Sequence, residues 1–163
     1  MPHEFTITRR VEFSETDMAG IMHYSNYFRF METAEHAFFR SLGFSIVTEM
    51  TDPPVGWPRV HASCDFRRPL RFEDQVEVRL LVKEKNRKAL TYQFRFRKVG
   101  DPSLGEVAVG EITVVCVQRQ PNGEMKAVAI PSVIADQIET APIVEVNPRT
   151  AERDPKGDRN SLE

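Results

Sequence analysis

The chain has 163 residues, of which 40% are hydrophobic and 28% are charged. This length fits one domain, and this composition excludes a disordered or fibrous chain. The formal net charge is −2, so no global field attracts nucleic acid or an acidic membrane. No apolar stretch approaches the about 20 residues that cross a bilayer, and the amino terminus has no signal-peptide pattern. We therefore expect a cytoplasmic protein.

The first two predicted elements are a strand and a long helix. Apolar and polar residues alternate near the amino terminus with the period of a half-buried strand, whose inward face is Phe5, Ile7, Val11 and Phe13. From Tyr24 the apolar residues recur at steps of three and four, which predicts an amphipathic helix over about residues 26–42. Ser25 or Asn26 can cap its start, and Gly43 suits a left-handed turn after its end.

Four further alternating runs predict strands after the helix. They begin at about residues 60, 76, 90 and 107, and the polar turn at 85–88 predicts that the second and third pair as an antiparallel hairpin. The first run is predicted to turn Val60, Ala62, Cys64 and Phe66 to one face. In the last run the apolar face slips by one residue near Gly110, which is typical of a β-bulge.

The carboxyl-terminal third ends in a short helix and a tail. Pro131 is predicted to open the helix, with Val133, Ile134 and Ile138 turned inward. The chain beyond residue 140 is rich in proline and charge and has no aromatic residue, so we expect residues 141–163 to be a disordered tail. Residues 1–140 then form the domain.

The element order predicts an α+β fold. Because only one long helix is available to cover the apolar faces of the strands, the simplest arrangement is a curved antiparallel sheet of about five strands wrapped around that helix. An uncovered edge of this sheet favours a dimer that extends the sheet.

The segment between the first strand and the helix carries a motif. Asp17 and Gly20 form an Asp-x-x-Gly sequence, aromatic residues flank Asn26, and Glu32 follows on the helix. This segment resembles the hotdog-fold thioesterases of the 4-hydroxybenzoyl-CoA thioesterase branch. A weaker likeness lies at residues 66–74, and with the element order the resemblance covers about residues 5–138. It implies a hotdog fold, a homodimer or homotetramer, and hydrolysis of an acyl-CoA to a carboxylate and free CoA.

The chemistry of a thioester assigns roles to three residues of this motif. Hydrolysis needs a nucleophile or general base near the carbonyl carbon and hydrogen-bond donors for the oxyanion. Asp17 can be either the nucleophile or the base, and the sequence leaves both open; by itself it would be interpreted as a turn residue. The Tyr24 backbone amide at the positive end of the helix is the predicted donor. Gly20 lets the backbone pass close to the substrate.

Other residues are candidates for substrate binding. His23 precedes Tyr24 and is interpreted as lining the substrate site. Arg87 and Lys88 resemble the basic turn that holds the CoA nucleotide in the branch, although a solvated turn explains them equally well. A second basic cluster could serve instead, and it consists of Arg67, Arg68 and Arg71. Glu32 either matches the helix acid of the branch or pairs with Arg29 or His36 on the helix.

No cofactor is predicted, since CoA is part of the substrate. His3, His36 and His61 lack the spacing of metal ligands, and Cys64 and Cys116 lack a CxxC pattern and are interpreted as core thiols. We predict no metal.

Two alternatives stay open beside the thioesterase. Hotdog hydratases and dehydratases place four residues between an Asp and a His, or use a His and a Glu from different subunits; Asp17 and His23 are separated by five residues. A non-catalytic module that binds acyl-CoA is the third possibility. Neither the acyl group nor the choice between CoA and acyl carrier protein follows from the sequence.

Overall fold

A computed structural model describes residues 2–47 and 51–146. Short 3₁₀ turns lie at Phe13–Glu15 and Pro102–Leu104. The strands are β1 Glu4–Arg10, β2 Arg59–Phe66, β3 Gln75–Lys85, β4 Ala89–Lys98, β5 Glu106–Val115, β6 Val117–Arg119 and β7 Met125–Ala127. The helices are α1 Ser25–Ser41, α2 Ser132–Ala135 and α3 Ile143–Val146.

The main sheet confirms the predicted α+β architecture. Its five strands lie in the order β1-β3-β4-β5-β2, each antiparallel to its neighbours, and the predicted hairpin is β3–β4. The helix α1 packs on the inner face, and the core lies between them. A smaller two-stranded sheet joins β6 to β7.

The helix lies very close to the sheet at Gly110. The apolar stripe of α1 is buried, as its period predicts, and it includes Phe30, Met31, Ala34 and Phe38. A Cβ atom at Gly110 would clash with the Met31 Sδ atom. Gly110 therefore allows the methionine to fill the space against β5.

The predicted bulge at Gly110 is wrong. Gly110 pairs in register with both neighbouring strands, and the irregularity lies at Val107, between Ala108, which pairs with Phe96, and Glu106, which pairs with Arg97. Both Val107 and Ala108 are buried, so the apolar phase slips there. The sequence shows the slip but assigns it to the wrong residue.

The prediction that four residues of β2 share one face is also wrong for Val60. The register shifts between Arg59 and His61, so that Arg59 pairs with an inward position of β5 and Val60 is 62% exposed. Phe66, at the other end, is 50% exposed. This strand is an edge of the sheet, and α1 covers little of it.

Two further predicted core residues are exposed. Phe13 is 76% exposed because β1 ends at Arg10 and the chain leaves the sheet before it. Val133 is 52% exposed because the four-residue helix α2 turns only Ile134 into the core. Ile138 is buried, as predicted.

The domain extends beyond its predicted end. Residues 141–146 are ordered, and Ala141 and Val146 pack with Leu81 on the outer face of the sheet. Arg95 of β4 donates hydrogen bonds to the carbonyl oxygens of Glu145 and Val146 at 2.5 and 3.0 Å. The predicted tail is therefore wrong for residues 141–146, while residues 147–163 lie outside the described part of the chain.

Candidate active site

A tight turn holds Asp17 between β1 and α1. The Asp17 amide donates to the Ile21 carbonyl at 3.0 Å, and the Gly20 amide donates to the Asp17 carbonyl at 2.9 Å. Gly20 has a φ of 74°, a value that glycine adopts without the strain of a side chain. The conformation of this turn therefore explains why glycine stands at this position.

The Asp17 carboxylate has one engaged and one free oxygen. Its Oδ1 atom accepts a hydrogen bond of 2.8 Å from the Ala19 amide, which is an Asx turn. Its Oδ2 atom has no hydrogen-bond partner among the described residues. The interpretation as a turn residue and the interpretation as a reactive group are thus compatible, because the turn fixes one oxygen and leaves the other available.

The start of α1 presents a free backbone donor. Ser25 and Asn26 do not cap the helix, which corrects the prediction; Tyr24 occupies the cap position. The amides of Asn26 and Tyr27 donate to the carbonyls of His23 and Tyr24 at 3.0 and 3.2 Å. Within residues 2–47 and 51–146 the Tyr24 amide has no acceptor, so it can donate to a ligand at the positive end of the helix.

Asp17 and Tyr24 line the same cleft, which has a volume of about 450 Å³. The rest of its lining is mainly apolar and aromatic, with two arginines at one side: Ile21, Met22, Tyr27, Phe66, Arg67, Arg68 and Pro69. The rings of Tyr27 and Phe66 meet edge to face at 5.0 Å between centroids. Burial raises the pKa of Tyr27 to about 12, so this phenol stays protonated at neutral pH. Two of its lining residues, Tyr24 and Phe66, are exposed.

The other predicted binding residues near Asp17 lie outside this lining. Gly20 lines a neighbouring cleft that shares Asp17, beside Phe13, Met18 and Phe72. His23 is partly buried, and its Nδ1 atom forms a hydrogen bond of 2.8 Å with the Ser25 hydroxyl. Its ring also stacks on Tyr24, with 4.4 Å between centroids. His23 thus holds the helix entrance, and contact with substrate stays a prediction.

Arg87 and Lys88 lie far from Asp17 within one chain. The cleft adjoins the Phe66 end of β2. Leu90 adjoins the turn that carries the two basic residues. Leu90 and Arg59 pair with the same residue of β5, and Arg59 lies at the opposite end of β2. One chain alone therefore does not bring the predicted nucleotide-binding residues to the cleft.

An ion pair between buried Glu35 and partly exposed Arg59 is the main polar feature that the sequence does not predict. Glu35 of α1 is fully buried, and Arg59 donates to its Oε2 atom at 2.5 Å. Arg59 also lies 3.3 Å from Glu32, so Glu32 forms an ion pair across to β2. Burial raises the pKa of Glu35 to about 7, against the opposing effect of Arg59. The bulge that turns Arg59 inward left no clear signal in the sequence.

One group of side chains has the composition of a metal site. His3, Glu4 and Glu145 each offer a ligand atom, and these atoms lie within 4.8 Å of one another. Arg79 forms ion pairs with both glutamates, so a protein cation already occupies this cluster and offsets part of its charge. We assign no metal to it.

Known proteins with similar sequences and structures indicate the family of this chain. A family model described as the thioesterase-like superfamily matches residues 11–138. A solved gentisyl-coenzyme A thioesterase is 33% identical with a TM-score of 0.68, over 80% of this chain and 99% of that one. A 1,4-dihydroxy-2-naphthoyl-CoA hydrolase of Prochlorococcus marinus (strain MIT 9313) is 31% identical over 105 residues, which are 59% of this chain and 69% of the relative.

A more distant solved structure supports the fold alone. The 4-hydroxybenzoyl-CoA thioesterase of Pseudomonas sp. strain CBS-3 is 21% identical, with a TM-score of 0.73 over 83% of this chain and 99% of that one.

Among the described residues, no helix is long and apolar enough to cross a membrane.

Proposed function

The chain belongs to the thioesterase-like superfamily and has the hotdog fold, and we propose that it hydrolyses an acyl-CoA thioester to a carboxylate and free CoA, using Asp17 and the Tyr24 amide. One observation carries the assignment of these two groups. A carboxylate oxygen and a backbone N–H, both without protein partners among the described residues, line one cleft. These are the two groups that thioester hydrolysis requires.

The proposed reaction has two routes that use the same geometry. In the first, the Asp17 oxygen attacks the carbonyl carbon, the C–S bond breaks, and water then hydrolyses the mixed anhydride. In the second, Asp17 takes a proton from a water molecule that attacks the carbonyl carbon directly. In both, the Tyr24 amide donates to the carbonyl oxygen as negative charge develops there, and the thiolate leaves and is protonated.

The cleft favours an aromatic acyl group. Its wall contains Tyr27 and Phe66, and flat rings pack well edge to face against such side chains. Two of the relatives above 30% identity are named for aromatic thioesters, gentisyl-CoA and 1,4-dihydroxy-2-naphthoyl-CoA. We therefore place aromatic acyl-CoAs ahead of short-chain and long-chain fatty acyl-CoAs as substrates.

The free thiols Cys64 and Cys116 suit the proposed cytoplasmic location.

We propose a homodimer that pairs two β2 strands. This strand is an edge of the sheet, and its residues Val60 and Phe66 expose apolar surface. Edge pairing would satisfy the free backbone groups of β2 and cover this surface. The cleft beside Phe66 would then lie at the interface between two subunits.

This dimer would also bring the basic turn to the cleft. In an antiparallel β2–β2 pair related by a two-fold axis, the Phe66 end of one strand lies beside the Arg59 end of the other. The Arg59 end is the one that adjoins the turn with Arg87 and Lys88. Arg87 of the partner subunit would lie about three strand spacings, roughly 14 Å, across the sheet from β2. The pantetheine arm of CoA is long enough to span this separation.

Replacing Arg87 and Lys88 together by Ala should raise KM for acyl-CoA about tenfold with little change in kcat. The two cations would bind the phosphates of CoA, far from the reacting bond, so their loss weakens binding more than chemistry. Steady-state kinetics measure this effect. Arg10→Ala, on the exposed β1 edge, is the control and should leave KM unchanged. An unchanged KM in the double variant would show that these residues are only a solvated turn.

Release of free thiol from a panel of acyl-CoAs tests the proposed activity. We expect turnover with hydroxylated aromatic acyl-CoAs and weaker turnover with aliphatic ones. Product analysis should find a carboxylic acid and CoA in equal amounts. Hydration of an enoyl-CoA without thiol release would indicate a hydratase, and saturable binding without any product would indicate a binding module; either result contradicts the proposal.

A further inference from the structure

Asn26 is a buried polar residue in the first turn of α1 that the proposed reaction does not use. The residue is 7% exposed and is not among those that line the cleft. The sequence suggests a helix cap, but its Nδ2 atom donates instead to the Glu15 carbonyl at 2.8 Å. This bond joins the helix to a residue two positions before Asp17.

The Glu15 carbonyl connects the segment before Asp17 with the start of α1. It accepts the Asn26 side-chain amide and also the His23 backbone amide, each at 2.8 Å. Glu15 is itself held, because its carboxylate accepts from the Glu12 amide at 2.9 Å and from Arg9 at 3.0 Å. The Arg9 guanidinium in turn lies 4.0 Å from the centroid of the Phe30 ring on α1.

The chain between these contacts carries both proposed reactive groups. Asp17 lies two residues after Glu15, and Tyr24 lies two residues before Asn26. The loop between them is closed at its base by the pairing of Thr16 with Met22. Asn26 thus fixes the start of α1, and with it the Tyr24 amide, relative to the turn that holds the Asp17 carboxylate.

We propose that Asn26 is a positioning residue, whose bond to Glu15 sets the separation between the Asp17 carboxylate and the Tyr24 amide. This inference rests on the proposed function. Misplacement of reacting groups by about 1 Å can cost about 100-fold in rate, so a single buried hydrogen bond at this point has a large effect on turnover. Because Asn26 itself touches no substrate, its loss should lower kcat while leaving KM nearly unchanged.

The test compares Asn26→Asp with the wild type by steady-state kinetics on the best aromatic acyl-CoA. Aspartate keeps the size of the side chain but loses both N–H donors, and kcat should fall about 10-fold to 100-fold. A protonated aspartate can donate to the Glu15 carbonyl, so the ratio of wild-type to variant kcat should shrink as the pH is lowered from 8 to about 5. A role confined to folding would make the melting temperature depend on pH and leave the ratio of kcat values of the folded enzymes unchanged.

Two controls separate the effect from a general loss of stability. Asn122→Asp makes the same chemical change in the β6–β7 turn, where Asn122 donates to Glu124 at 2.9 Å, and it should leave kcat unchanged. Ile134→Val lowers the melting temperature in the core, and the folded enzyme should keep its kcat. Asn26→Ser, whose shorter side chain does not reach Glu15, should repeat the loss of kcat.

Each outcome bears on the proposal. Wild-type kcat in folded Asn26→Asp contradicts it, and so does a loss of kcat that is independent of pH. If neither Asn26 variant folds, Asn26 serves the fold and the proposal is rejected. Absence of turnover in the wild type contradicts the proposed function instead, so the two failures are distinguishable.

Discussion

Replacing Asp17 by Asn should lower kcat by about 10²-fold to 10⁴-fold, which is the range that positioned acid–base groups contribute. The Asn side-chain oxygen can still accept the Ala19 amide, so the Asx turn should persist. The neutral amide, however, neither attacks a carbonyl carbon nor takes a proton from water. The change therefore removes the chemistry and keeps the geometry of the turn.

The measurement is thiol release under substrate saturation, with the melting temperature recorded in parallel. Asp101→Asn is the matched control, since Asp101 also lies in a turn, where its carboxylate accepts the Ser103 hydroxyl, and it does not line the cleft. This control should keep full activity. Folded Asp17→Asn with wild-type turnover would remove Asp17 from the mechanism and leave the Tyr24 amide as the sole assigned group.

The elements with a strong period were predictable from the sequence. Each bound of α1 lies within one residue of the prediction. The helix was predictable because its apolar stripe is buried along one continuous face. The strands β3 and β4 were likewise predicted, since Val76, Leu80, Tyr92 and Phe94 all face the helix side of the sheet. Local periodicity was enough to predict an element wherever its apolar side is the side that is buried in the structure.

The errors lie where a distant part of the chain decides the structure. The pattern of β2 suggests a core strand, but its place at the edge of the sheet depends on which strands pair with β5. The tail prediction rested on composition, and it failed at Val146 because Arg95, 51 positions earlier in the chain, binds its backbone carbonyl. Such long-range partners leave no local signal.

That Asp17 and Tyr24 line one cleft was predictable from their closeness in sequence, while their roles in catalysis stay a prediction. Asp17, Gly20 and Tyr24 are close in sequence, so a turn and a helix start suffice to bring them together. Arg59 and Glu35 are 24 positions apart, and their pairing requires both the bulge at Val60 and the packing of α1 on the sheet. No spacing rule links two such residues.

Replacing Arg59 by Met should lower the free energy of unfolding by about 3–5 kcal/mol at alkaline pH, because it leaves Glu35 buried without its counter-charge. Chemical denaturation at a fixed protein concentration measures this loss. Lys83→Met is the control, since the ion pair of Lys83 with Glu111 is partly exposed at 2.6 Å. Such a pair contributes about 1 kcal/mol or less, so the control should lose far less stability.

The loss should depend on pH in a defined direction. Burial raises the pKa of Glu35 in the folded protein from 4.5 to about 7, so the folded state binds more protons than the unfolded state between these values. The stability from this group is therefore fully present below about pH 4.5 and is lost as the pH rises through about 7. Without Arg59 the folded pKa rises further, because an opposing positive charge is gone. The deficit of Arg59→Met should thus be small at pH 5 and large at pH 9.

A second substitution identifies Glu35 as the source of this dependence. Glu35→Gln cannot ionise, so in this background Arg59→Met should cost less at pH 9 and show little change between pH 5 and pH 9. The coupling between the two sites is the difference between the Arg59→Met deficits with and without Glu35. An Arg59→Met deficit that is equal at both pH values would mean that the buried Glu35 carboxyl stays neutral in the wild type. Arg59 would then contribute by packing α1 against β2 and not through its charge.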